Sequence, residues 1–383
     1  MGADDRQRPR ICLNMIVRNE AHIIHELIAS VAAHIDSWVI VDTGSTDGTQ
    51  DFVRRLMAER GIPGELFERP WRNFGSNRTE ALELAQGRGD YIWVMDADDI
   101  VVGTIDFSEL TADAYSVRIR DGALYWRLQL FRDGVPWRYA GVLHEAPVCD
   151  VPHTHERLEG DYRIESRRLG ARNRDPQKYA RDAAILQAEV DRNPNDTRSI
   201  FYLAQSYFDA GDFTNARRWY ARRAEMGGWH EEVYYSLYRV ALAMQRLAEP
   251  WPNVQDAFLK AWSFRPTRAE PLYLIARHYR VAGDYRLGHL FAERAARIPL
   301  PTDDVLFVPA DVYEWRAVDE QAVCASWISM MPETFALCER VLARDDIPEE
   351  DRTRITANRD LAARAMRQAD SPCSDPVPPP SQS

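Results

Sequence analysis

Three runs early in the chain constrain its fold most: ICLNMIV (Ile11 to Val17), SWVIVD (Ser37 to Asp42) and YIWVMD (Tyr91 to Asp96) are apolar almost without alternation. A strand with one buried face alternates apolar and polar residues, whereas a run that is apolar throughout must be covered on both faces. Stretches of helical texture separate these runs, roughly over 20–33, from about Thr49, and over 77–85. A shorter strand candidate, ELFERPW, precedes the last of them. Strands separated by helices predict an α/β domain on a mostly parallel sheet. In such a sheet ligands sit outside the carboxyl ends of the strands. This sequence puts Asp42 and the cluster Asp96, Asp98 and Asp99 at those ends.

Shorter pieces follow, AYSVRIR, ALYWRLQLF and WRYAG, which read as antiparallel additions that complete the sheet and wall a site. Residues 151–176, rich in His, Arg and Asp, read as a connector or lid. Beyond Pro176 the pattern is helical and repeats. Pro194 and Pro266 lie 72 residues apart, and so do the Ala-Gly-Asp turns that start at Ala210 and Ala282. That offset is twice a helix-turn-helix unit of about 34–36 residues, each hairpin burying its apolar face against its neighbour. The expected organisation is an α/β domain over 10–150, the connector, helical repeats over 177–345 and a disordered Pro/Ser-rich tail over 369–383. Trp219, Tyr220, Trp229, Tyr234, Tyr235 and Tyr238 give the repeats an aromatic texture. Periodicity alone does not divide these between hairpin packing and a ligand groove, and half or more are expected to be packing.

A formal net charge of −11 argues against a general nucleic-acid binder, which needs a basic surface. Arg163, Arg167, Arg168, Arg172 and Arg174 form a local basic patch, read as a solvated face ahead of an anion site. No apolar run approaches the roughly 20 residues of a membrane helix. The 5 cysteines are scattered and odd in number, which fits a reducing compartment, so a cytoplasmic location is expected.

The chemistry gathers at the strand ends. Asp96-Ala97-Asp98-Asp99 sets carboxylates one residue apart after an apolar strand, an arrangement that suits a hard divalent cation, magnesium or manganese, and the diphosphate it carries. By itself it also fits the acidic start of a helix near Ile100. Asp42 is placed to accept from a nucleobase or ribose, while Ser45 and Asp47 read as caps of the following helix. Arg78 can pair with Asp42 or Asp96, or reach a phosphate, and Asn73 and Asn77 lie on the same rim. His144-Glu145 sets a possible metal ligand beside a possible general base. His153 and His155 are alternative metal ligands, with no third ligand fixed by the sequence.

These pieces together, ICLNMIVRNEAHII, VIVDTGSTDGT, NRTEALELAQGRGDYIWVMDADD and YAGVLHEAP, resemble the catalytic domain of glycosyltransferase family 2, inverting enzymes of the GT-A fold. The whole chain further resembles a bacterial subgroup in which tetratricopeptide-like repeats follow that domain, some of whose members glycosylate peptides. The resemblance implies a nucleoside-diphosphate sugar donor, with UDP favoured, and an acceptor that is a peptide, a protein or a glycan, held by the repeats. A homodimer is the alternative use for the repeats. By the same resemblance Asp96 is the first acid of the D-x-D motif, near the donor ribose or metal. Asp98 holds the cation on the diphosphate, Asp42 lies near the base, and Val17 and Asn19 edge the nucleotide. Many relatives carry Asp or Asn after the Asp42 position, where this chain has Thr43, which removes an expected contact to uracil. Glu145 matches the base best, and His144 serves the metal. A retaining double displacement needs a second carboxylate beneath the sugar, for which the sequence offers no candidate. Two rivals are a nucleotidyltransferase, disfavoured because NMIVRNEAHI lacks a Gly-rich phosphate loop, and a catalytically inactive repeat scaffold.

Overall fold

The computed structural model describes residues 8–121 and 123–370, and the chain divides into two compact units, 1–211 and 212–383. In the first unit the apolar runs form the centre of a nine-stranded sheet. Strands β1 (Ile11–Val17), β2 (Ser37–Asp42), β3 (Gly64–Glu68) and β4 (Tyr91–Val94) are parallel, in the order β3-β2-β1-β4. Beyond β4 the sheet continues through β7 (Ala123–Arg132), β6 (Ala114–Asp121), β11 (Tyr162–Ser166) and β5 (Asp99–Gly103). β7 is antiparallel to both β4 and β6, so the expected antiparallel additions are present. A short β10 (His155–Arg157) pairs with the start of β6, and a separate hairpin joins β8 (Arg138–Ala140) to β9 (Ala146–Val148).

Both faces of the sheet are covered, which is what the unalternating runs require. Ile11, Leu13 and Met15 of β1 pack with α1 (Ile24–Val31) and α2 (Thr49–Glu59). Cys12 points the other way, into a cluster with Leu82 and Ala85 of α3 (Phe74–Ala85). Asn14 is the polar exception on β1. It is buried, and its amide donates to the carbonyls of Ala81 (2.9 Å) and Val39 (3.3 Å), so it bolts α3 to the sheet. A buried amide so satisfied fixes position as well as burying area. Arg78 is carried on the turn of α3 next to that bolt. The helix starts at a real cap, the Asn73 side chain accepting from Ser76 N at 2.7 Å.

Three local readings are corrected. The helix expected from about residue 20 is regular only from Ile24 and is entered through a turn in which the Glu20 carbonyl accepts from Ile23 N and Ile24 N, while the Glu20 and Ala21 amides bond Thr49 Oγ1 and Asp47 Oδ2. No helix follows Asp96 to Asp99. The chain instead enters β5, whose Asp99–Gly103 pairs antiparallel with β11, so the acidic cluster is not a helix cap. The stretch expected as a connector contributes β10 and β11 to the main sheet before a 3₁₀ turn at Ala171–Arg174. The first unit closes with the hairpin α4 (Lys178–Arg192) and α5 (Thr197–Asp209).

The second unit is helical. It contains α6 (Phe213–Glu225), α7 (His230–Arg246), α8 (Trp251–Phe264), α9 (Glu270–Val281), α10 (Tyr285–Ala296), α11 (Ala317–Trp327), α12 (Met331–Leu342) and α13 (Glu349–Asp370). Phe258, Leu272 and Ile275 anchor one hairpin core, and Val318, Cys338 and Val341 another. Trp219, Tyr220 and Tyr234 are buried packing residues, whereas Trp229 is exposed. The repeated Ala-Gly-Asp turns have one physical basis. Gly211 and Gly283 both take φ 82°, where a side chain is disfavoured, and each following Asp caps the next helix. Asp212→Ala and Asp284→Ala are each expected to cost about 1 kcal/mol, read as a lower midpoint in urea unfolding with unchanged slope. Helix α13 runs to Asp370, and the remainder of the expected tail, with Cys373, lies outside the described residues.

Candidate active site

At the carboxyl end of β1 and β2 a small network shapes one corner. Asp42 is 1% exposed, and its Oδ1 accepts from Gly44 N, Ser45 N and Gln50 Nε2 at 2.9–3.0 Å. Its Oδ2 is buried with no hydrogen-bond partner among the described residues. A buried acceptor left open this way is costly unless something donates to it. Asn19 sits in left-handed backbone at φ 59°, takes Thr46 N on its side-chain oxygen and gives its own amide to Ser45 Oγ. The Val17 carbonyl accepts from both the amide and the hydroxyl of Thr43. Thr43 is thus turned inward onto β1 and buried.

The second corner centres on Arg78, whose Nε donates to Glu145 Oε1 at 2.6 Å and whose terminal nitrogen pairs with Asp96. Arg78 and Glu145 side chains are each 12% exposed. Burial opposes charge on Arg78, but Asp96 and Glu145 outweigh it and raise its pKa. Burial likewise works to raise the Asp96 pKa, and Arg78 and Arg127 override it and hold the carboxyl at about 2. Arg127, from the middle of β7, pairs with Asp99 at 3.0 Å and stands 3.7 Å from Asp96. Asp99 is fully buried and its pKa is pushed up by that burial, against the pull of Arg127. The D-x-D segment and the His-Glu segment therefore meet on one guanidinium, the former through its first acid.

Asp98 points elsewhere. Its Oδ2 accepts from Gly170 N at 2.9 Å, while Glu20, at the end of β1, accepts from Ala171 N at 3.2 Å. Arg167 bonds the Asp98 carbonyl and His22 meets the Leu169 carbonyl, so residues 167–171 lie over this carboxylate pair. Hard carboxylate oxygens on a half-buried rim fit magnesium or manganese by donor type. Among the described residues no three of His, Cys, Asp or Glu converge to cage a metal. His144, in left-handed backbone at φ 51°, stacks its ring on Tyr202 of α5 at 4.0 Å and 8°. Burial of that face, then Arg172, Arg198 and Lys178, depress its pKa and favour the neutral ring. His153 bonds the Val151 carbonyl and packs on Trp137, and His155 bonds Ser116 Oγ. β10, with His155, pairs with Ala114 to Ser116 at the start of β6, the amino end of the parallel strands and so opposite Asp98. Asn77 serves the fold: it is buried and ties Arg72 N to the Pro70 carbonyl.

Four of the arginines in the expected basic patch are engaged with acids: Arg163 with Glu165, Arg167 with Glu26, Arg168 with Asp121 and Arg172 with Asp182. Sequence reasoning did not single out Arg127, Glu20, Gly170, Arg198 or Tyr202. Arg127 alone carried a signal, since an arginine inside the otherwise apolar ALYWRLQLF must find an acid if it is buried. The Glu145 loop also presses on the first turn of α3. A Cβ at Gly75 would overlap the Gly141 carbonyl oxygen and lie 3.1 Å from that of Tyr139. Gly75→Ala is expected to destabilise by about 1–3 kcal/mol, measured as a lower Tm.

Comparison with known proteins bears on the same region. Residues 12–111 match the family model for glycosyl transferase family 2. This chain carries a glycosyl transferase family 2 domain. The matched span of that domain takes in β1, β2, Asp42, Arg78 and the Asp96 to Asp99 cluster, and ends before Glu145. Over most of its length the chain is similar to a TPR repeat-containing protein of Synechococcus elongatus, 26% identical over 311 residues, covering 74% of this chain and 72% of the relative. Similar solved structures include MamA, 14% identical at a TM-score of 0.35 over 43% of this chain and 88% of that one. Another is YrrB, described as a TPR protein with an unusual peptide-binding site, 13% identical at a TM-score of 0.37 over 49% of this chain and 87% of that one. In the chain the residues that match family 2 are followed by helical hairpins from α4 onward. Among the described residues no helix is long and apolar enough to cross a membrane.

Proposed function

We propose that the protein is an inverting glycosyltransferase that moves a sugar from a nucleoside-diphosphate donor, UDP-linked by preference, to a peptide or protein acceptor ahead of a glycan. The observation that carries the reading is the meeting of Asp96 and Glu145 on Arg78, at the strand ends of a family 2 domain. Asp42, with its open buried Oδ2, and Val17 and Asn19 beside it would line the nucleoside. Asp98 would hold a manganese or magnesium ion against the diphosphate, with His144 as the candidate second ligand, since its stack on Tyr202 engages the ring face and not the in-plane nitrogens. The cation, when bound, neutralises charge gathering on the departing diphosphate.

The residues of the chain do the rest. Every hydrogen bond described for the Glu145 carboxylate falls on Oε1, which leaves Oε2 to take the proton of the acceptor nucleophile. The nucleophile forms its bond to the anomeric carbon as the bond from that carbon to the diphosphate oxygen breaks, and the configuration inverts. Arg78 aims the Glu145 carboxylate, and Asp96 keeps Arg78 in place. The acceptor preference rests on the long helical region and on the resemblance to peptide-modifying relatives.

The test is nucleoside diphosphate release from a panel of UDP-, GDP- and dTDP-sugars with manganese, with and without polypeptide and oligosaccharide acceptors. Release from one donor, raised by a polypeptide, is the expected result. Release raised only by glycans overturns the acceptor assignment, and no binding or release across the panel favours an inactive scaffold.

A further inference from the structure

Glu145 lies on a tight loop, and the helical hairpin that follows the sheet grips that loop from outside. Arg198, near the start of α5, donates from Nε and from a terminal nitrogen to the His144 carbonyl, at 3.0 and 2.8 Å. One turn further along α5, Tyr202 stacks on the His144 ring at 4.0 Å with 8° between the planes. The Arg198 guanidinium also lies 5.1 Å from the centre of the Tyr202 ring, so the two gripping groups support each other. The helix start itself is fixed by Asp196, whose carboxylate accepts from Arg198 N and Ser199 N. His144 needs such a grip. Its φ of 51° is a left-handed conformation that a non-glycine residue keeps only when its surroundings hold it. On the other side of the same loop Leu143 is buried and Phe74 N of α3 bonds the Val142 carbonyl.

We propose that Arg198 and Tyr202 are positioning residues for Glu145: by holding the backbone and ring of His144 they set the direction of the next side chain, so that its carboxylate meets Arg78 and faces the acceptor. The inference rests on the reading of Glu145 as the general base. It makes the first helical hairpin part of the catalytic unit, and it gives the histidine next to the base a positioning part through its carbonyl and ring face. A base displaced by about 1 Å loses on the order of 100-fold in rate, so release of the grip acts on turnover and not on donor affinity.

The test uses the full chain and two readouts. In hydrogen–deuterium exchange, which needs no substrate, Tyr202→Ala and Arg198→Ala should speed exchange of the 138–148 peptide and leave β1 and β4 protected. With the donor that the wild type uses, both should lower kcat about 10- to 100-fold at an unchanged donor Kd. Tyr202→Phe, which keeps the stacking ring, should stay near wild type, and Arg198→Lys, which keeps charge but not the two-pronged bond, should fall between. Added to Glu145→Gln, Tyr202→Ala should cost little more, because residues that act as one unit are not additive. Unchanged exchange over 138–148, or wild-type turnover in both alanine variants while Glu145→Gln is inactive, overturns the positioning role alone. Full turnover by Glu145→Gln overturns the base assignment beneath it.

Discussion

Glu145→Gln is expected to lower sugar transfer by about 10²- to 10⁴-fold while leaving donor binding intact, because glutamine keeps the shape of the loop and can accept from Arg78 but cannot take a proton. The isosteric change is the informative one. Removing the side chain altogether would also free Arg78 and mix a structural loss into the kinetic one. Donor affinity by calorimetry and kcat from nucleoside diphosphate release separate the two: the account expects the first unchanged and the second lost. A Glu145→Gln enzyme with weak donor binding and normal kcat would make Glu145 a binding residue instead of a base.

The second large effect belongs to Arg78. Its side chain is 12% exposed, and among the described residues its two partners, Asp96 and Glu145, have no other cation as near as it, Arg127 standing 3.7 Å from Asp96. Arg78→Met fills similar space and removes the charge, leaving two carboxylates facing one gap. Breaking a buried ion pair by removing one partner costs about 3–5 kcal/mol. The partial exposure of Asp96 and its residual contact with Arg127 set the expectation at the lower end, about 3 kcal/mol, read from urea unfolding. Transfer should fall with it, since the base loses its anchor. Arg78→Lys should rescue little, because an ammonium does not span both acids as the guanidinium fork does. The pH dependence follows the same pair. Asp96 titrates at about 2 in the fold against an ordinary 3.8, so its contribution to stability is whole above about pH 4. That contribution is lost as the pH falls towards 2, and Arg78→Met should flatten this acid limb.

Much of the fold was legible before the structure, and the reasons differ by element. β1 ends where its apolar run ends, since a strand buried on both faces has no other pattern available. The Ala-Gly-Asp turns were visible as a repeat, and the caps that Asp212 and Asp284 form there are a local matter of one glycine and one acid. What local pattern does not hold is the partner that decides between two local options. Asp96 to Asp99 suited a helix start, and a strand follows instead because β11, far along the chain, offers β5 an open edge. Glu20 and Ala21 read as helix from their neighbours, yet they belong to a turn whose amides bond Thr49 and Asp47 from the next loop. Arg198 and Tyr202 carried the same texture as every other helical hairpin residue. Only their approach to His144 distinguishes them, and that approach is tertiary.

Proton NMR of the anomeric region, while the protein, manganese and its donor sugar-nucleotide react with an acceptor, reads the proposed transfer itself, set beside the Asp98→Ala variant. The account predicts that nucleoside diphosphate and a product of inverted anomeric configuration appear together, and that Asp98→Ala abolishes both. A product of retained configuration, or an Asp98→Ala protein as fast as wild type, would contradict it.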